Sequence, residues 1–269
     1  MTDQTALVLP APAARRPVLL LIALALAGWG VLAAMVLSMP GGGAFQDFLS
    51  LCTTTTPALG WPSPAEAGSV LLMWMAMALA MMMPTAVPAA MACASAKGEG
   101  GAFSFIAGYL VVYGFFAVAS SVLQLSYGAL VATMPDLEGA GLALSGSVLL
   151  LGGLYQFTPA KLACLARCRR PAERFQRVLA VSPQKGGFAF GLHEGVFCIG
   201  ACWLLMAVMT VLGMTNLVWT AALAIIILAE KMTEGRLVPW FAGMLLVVWG
   251  GALIAASPAG QALLARFLG

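Results

Sequence analysis

Seven uninterrupted apolar segments, each close to membrane-spanning length, dominate this sequence. They cover residues 17–39, 67–94, 102–131, 140–160, 187–213, 215–233 and 238–256. About 20 apolar residues of helix are enough to cross a bilayer. Because the runs are continuous and do not alternate with polar residues, we expect helices and not barrel strands. Only 9% of the residues are charged, against about 25% in a soluble domain. The sequence therefore predicts an all-α, polytopic transmembrane bundle of about seven helices.

The positions of the basic residues predict the orientation of this bundle. With the N-terminus inside, every lysine and arginine except Arg266 falls on the inner side. The outer loops carry the acidic residues Asp47, Glu66, Asp136 and Glu138. Lysine and arginine concentrate in cytoplasmic loops. We therefore expect a multi-pass protein of the bacterial inner (plasma) membrane with its N-terminus inside and its C-terminus outside.

The same pattern divides the chain into three regions. Residues 1–16 are a cytoplasmic tail, 17–256 a single transmembrane domain and 257–269 a C-terminal tail. The apolar run after Arg16 is longer than the ~7–15 residues of a signal peptide, so it predicts an uncleaved first helix. The basic inner loop over 161–187 suits anionic lipid headgroups. The sequence contains no basic tract of the kind that binds nucleic acid, so no nucleic-acid partner is expected.

A candidate metal site lies in the segment over 187–213. At ~100° per residue, Glu194, Cys198 and Cys202 form one stripe on the helix. His193, the single histidine of the chain, lies about 140° from Cys198 and faces away. A carboxylate inside a membrane needs a cation, a proton or a metal beside it. We therefore take Glu194, Cys198 and Cys202 as candidate ligands, with His193 ranked behind them.

A methionine-rich run supplies further candidate ligands at similar depth. Met73, Met77 and Met81 recur every four residues and stack on one helix face. Thioethers are soft ligands that select Cu(I), although methionine also serves as an ordinary filler of helix packing. Pro84 and Pro88 are expected to kink this helix. Met77 and Met81 are thus candidate ligands for the same ion.

Cys164 and Cys168 form a second candidate pair. They are four residues apart and share a helix face if the helix continues. Neighbouring Arg167 and Arg169 favour thiolates, which bind soft ions. We expect a separate metal station at the inner surface, the alternative being two ordinary interfacial cysteines.

Glu230 and Lys231 stand near the inner end of the segment over 215–233. Glu230 is either an interfacial residue or one half of an ion pair, with Lys161 or Lys231 as its partner. Cys52 and Cys93 are isolated in the sequence and receive no assignment.

Four blocks of the chain together resemble a bacterial family of predicted metal-binding integral membrane proteins. They are the Met-rich block from Trp74 to Pro84, the block Tyr155-Gln156…Thr158-Pro159…Lys161…Cys164…Cys168-Arg169…Pro171, the block Cys198…Gly200…Cys202-Trp203-Leu204-Leu205-Met206, and Gly213-Met214…Asn216…Trp219…Glu230-Lys231. In the third block the family usually has an additional cysteine where this chain has Ala201. The resemblance implies a membrane location and a candidate metal site held by the pair Cys198 and Cys202.

These features favour a membrane protein that binds or passes copper, with zinc as the alternative, and they favour a non-enzymatic role. One histidine excludes bis-histidine haem ligation within the chain, and neither haem, flavin nor nucleotide is expected. Two other interpretations stay open, a scaffold subunit of a membrane complex and a thiol-redox protein. Small residues such as Gly108, Gly114 and Gly191 permit close packing within the chain, with a membrane-protein partner or with a second copy.

Overall fold

The computed structural model describes residues 12–38, 63–133, 141–181, 186–212 and 217–268, and all secondary structure in these ranges is helical. The helices are α1 (Pro12–Leu37), α2 (Pro64–Thr133), α3 (Gly141–Gln156), α4 (Pro159–Cys168), α5 (Pro171–Val181), α6 (Gly187–Leu212), α7 (Leu217–Met232), α8 (Leu237–Ala256) and α9 (Pro258–Leu268). The predicted all-α class is confirmed. Asp47, Cys52, Asp136, Glu138, Lys185 and the link over 213–216 lie outside the described residues.

Helix α2 is two antiparallel arms joined at Gly98. This glycine has φ 70°, a left-handed conformation that is strained for residues with a β-carbon. The indole nitrogen of Trp74 donates to the side-chain oxygen of Gln124 at 2.7 Å, although fifty residues separate them. The chain therefore turns back at Gly98. The two arms correspond to the segments predicted over 67–94 and 102–131.

Within the described ranges, four stretches are long and apolar enough to cross a membrane: Ala13–Leu37, Pro64–Tyr127, Gly187–Thr210 and Leu237–Ala256. Helices α3 and α4, bent by 65° with respect to each other, make a fifth if they are counted as one span. Helix α7, with 16 residues, is shorter than the ~20 that span a bilayer. The count of seven and the orientation of the termini stay predictions.

The segment predicted as a basic inner loop, 161–187, contains most of α4 and all of α5. Helix α4 starts at Pro159, and the hydroxyl of Thr158 accepts a hydrogen bond from the Lys161 backbone N–H at 3.3 Å. Proline suits the first turn of a helix because that turn needs no N–H donor there. Helix α5 buries Phe175, whose ring centroid lies 4.8 Å from that of Phe190. Both helices therefore lie against the bundle.

Glycines bring the second arm of α2 into backbone contact with α6. A β-carbon added at Gly108 would lie less than 3.0 Å from the carbonyl oxygen of Phe188, and one added at Gly191 would lie equally close to that of Phe105. Real atoms do not approach so closely, so only glycine permits this packing. The close contact places the tyrosines of the arm beside the cysteines of α6.

Replacing Gly108 with alanine is expected to destabilise the protein by about 1–3 kcal/mol, because the added methyl group overpacks a backbone contact. Gly114→Ala is the matched control, since a β-carbon added there would meet nothing within 4 Å. The control should unfold at or slightly above the wild-type temperature. Thermal unfolding in detergent measures both, and equal midpoints for the two variants would contradict the packing.

Candidate metal centre

Helix α6 presents its ionisable and thiol side chains on one buried face. Glu194, Cys198 and Cys202 are exposed by only 4%, 2% and 1%. His193, by contrast, is exposed to the outside of the bundle. The structure thus places the three residues together and His193 apart from them, as the helical phase predicts.

The Sγ atom of Cys198 is the hub of this centre. The Tyr113 hydroxyl donates to it at 2.9 Å, and the Tyr109 hydroxyl oxygen also lies 2.9 Å from it. The ammonium group of Lys231 donates to the same sulfur and, at 2.8 Å, to the hydroxyl of Thr85. Three polar groups from two other helices therefore contact this one sulfur atom.

Met82 completes a triangle of sulfur atoms with the two cysteines of α6. Its Sδ atom lies 3.9 Å from the Sγ atom of Cys198 and 3.9 Å from that of Cys202. Cys202 also donates to the Cys198 carbonyl oxygen at 3.0 Å. Three sulfurs in a plane around a metal, with bonds of ~2.3 Å, are separated by about 4 Å. The spacing from Met82 to each cysteine matches that geometry.

The methionines predicted as ligands, Met77 and Met81, are buried elsewhere in the core. At ~100° per residue they lie about 140° and 100° from Met82 around the helix. Met82 shares its face with Ala86 and Ala89, which line the cleft beside Cys198. The four-residue stripe therefore lies on another face of the helix than Met82, and the ligand role of Met77 and Met81 stays a prediction.

A narrow cleft borders Cys198, between α2, α6, α7, the end of α4 and the start of α5. It is lined by Thr85, Ala86, Ala89, Phe105, Tyr109, Cys168, Pro171, Glu194, Cys198 and Lys231. Cys202 and Met82 are not among the lining residues.

Glu194 stands in the wall of this cleft and is already paired. The Arg174 guanidinium of α5 donates to its carboxylate. Arg174 and Arg167 also lie over the Phe197 ring, with guanidinium carbons 4.9 and 4.4 Å from its centroid. The ion pair therefore links α5 to α6 beside the cleft. It also engages the carboxylate that the sequence predicted as a metal ligand.

The second buried ion pair joins α4 to α7. The ammonium group of Lys161 donates to both carboxylate oxygens of Glu230, at 2.8 and 2.9 Å, and to the Gln156 side-chain oxygen. Both charged side chains are almost fully buried. Of the two partners that the sequence left open for Glu230, the structure shows Lys161. The pair holds the end of α7 that carries Lys231.

Arg169, in the turn after α4, adds to this network. Its Nε atom donates to the Glu230 carbonyl oxygen at 2.9 Å. Burial lowers the pKa of its guanidinium, while the Glu230 and Glu234 carboxylates act in the opposite direction. Because an ordinary arginine titrates above pH 12, Arg169 keeps its positive charge at the edge of the bundle.

The two cysteines of α4 have different neighbours in the structure. Cys168 lines the same narrow cleft as Cys198. Cys164 lies instead beside Gly200, where an added β-carbon would be 2.9 Å from its Sγ atom. Cys168 therefore belongs to the centre on α6. The bend between α3 and α4 brings it there, and helix periodicity alone does not show such a bend.

Among the described residues, no three side chains of histidine, cysteine, aspartate or glutamate are arranged to hold one metal ion. The soft side chain that the structure places beside both Cys198 and Cys202 is Met82. Sequence reasoning missed Met82, the role of Lys231 and the tyrosine pair. The tyrosine pair could have been found from the sequence. Tyr109 and Tyr113 are four residues apart, which places two hydroxyl groups on one face of an apolar helix.

Comparison with known proteins gives one match. The chain matches no curated protein and no solved structure. The model of a protein family described as PpoB2, copper chaperone, matches residues 71–253, which is more than half of the chain and includes α6 and all three sulfur residues of the triangle. The protein is therefore a member of the PpoB2 copper chaperone family.

Proposed function

We propose that this protein is a multi-pass protein of the bacterial inner membrane that binds Cu(I) through Cys198, Cys202 and Met82 and passes it on. The observation that carries this proposal is the sulfur triangle, with Met82 Sδ 3.9 Å from each cysteine sulfur. Membership of a family described as a copper chaperone supports copper as the cargo.

The outer surface of the helices supports the membrane location. Large apolar side chains point outward from several helices, among them Phe115 at 74%, Leu123 at 72%, Ile225 at 66% and Phe241 at 71% exposure. Soluble proteins rarely expose such extended apolar surfaces. Lipid chains would cover them, as they would the long apolar stretches of α1, α2, α6 and α8.

The donor set favours copper over zinc. Thiolates and thioethers are soft ligands that suit Cu(I), whereas zinc sites take four ligands from cysteine, histidine and carboxylates. His193 is exposed and Glu194 is paired with Arg174. Cys198, Cys202 and Met82 form a donor set of low coordination number, which Cu(I) accepts.

Charge balance supports a monovalent ion. Two thiolates and one Cu(I) carry a net charge of −1, and an uncompensated charge in a membrane interior is costly. The Lys231 ammonium, held beside Cys198 by Thr85, supplies the opposite charge. The loaded centre is then neutral as a whole.

Met82→Leu tests the triangle. The variant should still bind one Cu(I) per chain, but with affinity lowered by about 10–100-fold, since even outer-shell changes at metal sites cost that much. Competition with the colorimetric Cu(I) chelator bicinchoninate measures the affinity. X-ray absorption counts the ligands, with three sulfurs expected in the wild type and two in the variant.

Met81→Leu is the matched control, a buried methionine in the adjacent position but on another face. It should retain wild-type affinity and three sulfur ligands. Equal losses in the two variants, or nitrogen and oxygen ligands in the wild type, would count against the proposed site.

A further inference from the structure

The cleft beside the metal centre reaches Cys198 but not the other two sulfurs of the triangle. Cys202 and Met82 are absent from its walls and are exposed by only 1% and 0%. An ion that reaches the cleft therefore contacts Cys198 before the other two sulfurs. A second ligand in the cleft beside Cys198 would therefore define the first binding position of the ion.

Cys168 is the soft donor at that place. It lines the cleft together with Cys198, so both thiols border the same narrow space. Two thiols in such a space can hold one Cu(I) between them, since thiolates are its preferred ligands. Cys168 is only partly buried, so it is closer to the outside than Cys198.

The other candidate donors in the cleft are engaged. The Glu194 carboxylate is paired with Arg174, and a carboxylate is in any case a hard ligand. Lys231 is positively charged and faces Cys198, so it repels a free cation and favours a transfer in which a thiolate carries the ion. Cys168 is the cleft residue that meets this requirement.

We propose that Cys168 is the entry ligand of this chain, a second metal-binding position that shares Cys198 with the sulfur triangle. Cu(I) first lies between Cys168 and Cys198, and then moves inward. In that step the bond from copper to Cys168 Sγ breaks, and bonds to Cys202 Sγ and Met82 Sδ form. Copper stays Cu(I), and the proton that Cys202 loses is taken up by the departing Cys168 thiolate. This inference rests on the proposed function.

The test is the rate of copper loading compared with the final amount of copper. Full-length protein in detergent is mixed anaerobically with Cu(I) bicinchoninate, and stopped-flow absorbance follows the loss of the chelate. Cys168→Ser should reach the wild-type endpoint of one Cu(I) per chain, about tenfold or more slowly, as expected for removing one stabilising bond from the transition state. Cys164→Ser, on the same helix but against Gly200, should load at the wild-type rate.

Two results would overturn the entry role. Loading of Cys168→Ser at the wild-type rate, or equal slowing of the two serine variants, would remove Cys168 from the route. A lower copper endpoint in Cys168→Ser alone would make it a permanent ligand and also overturn the proposal. Failure of the proposed function looks different, because wild-type protein would then take up no Cu(I) at all.

Discussion

Cys198→Ser is expected to leave the purified protein without stoichiometric copper, while the wild type holds about one ion per chain. The Cys198 sulfur is in contact with Met82, Tyr109, Tyr113 and Lys231. A serine hydroxyl is a hard, weakly acidic group that does not replace a thiolate for Cu(I). Elemental analysis of the wild type beside the variant measures the effect.

Cys93→Ser is the control for the loss of a buried thiol. Cys93 is fully buried in α2, but it does not line the cleft. This variant should retain its copper. Full copper content in Cys198→Ser would refute the proposed site. It would favour the two alternatives, a scaffold subunit and a thiol-redox protein.

Glu230→Gln is expected to cause the largest loss of stability. It leaves the Lys161 ammonium, fully buried between α4 and α7, without its carboxylate. Breaking a buried ion pair from one side typically costs about 3–5 kcal/mol, because the remaining charge is uncompensated. The unfolding midpoint in detergent should therefore fall by on the order of 10 °C.

Two comparisons isolate the cause. Glu234→Gln makes the same chemical change in an ion pair with Arg170 that is largely exposed, and exposed pairs contribute little. The double variant Lys161→Met/Glu230→Met removes both charges and should recover much of the lost stability. A Glu230→Gln midpoint equal to that of Glu234→Gln would show that the buried pair does not hold α4 to α7.

The tertiary structure changed the membership of the candidate site more than its location. Helical phase placed Glu194, Cys198 and Cys202 on one face and His193 on another, because phase is a local property of ~100° per residue. Phase cannot tell which of several buried methionines faces a neighbouring helix. That depends on the rotation of α2 about its axis, and the structure places Met82 beside the two cysteine sulfurs.

The split between Cys164 and Cys168 has a similar origin. Their spacing predicted a joint station, and a straight helix after α3 would have kept them at the surface. The break at Thr158-Pro159 turns α4 by 65°. Cys168 then reaches Cys198, while Cys164 faces Gly200.

The sequence by itself determined the helical class and the stripe on α6. Continuous apolar runs have few other ways to satisfy their backbone polar groups, and the residues of a stripe lie within two helical turns. Only the tertiary structure decided which side chains from other helices meet that stripe. Met82, Lys231, Tyr109 and Cys168 come from distant parts of the chain, and their approach depends on glycine contacts and a helix bend that act between helices.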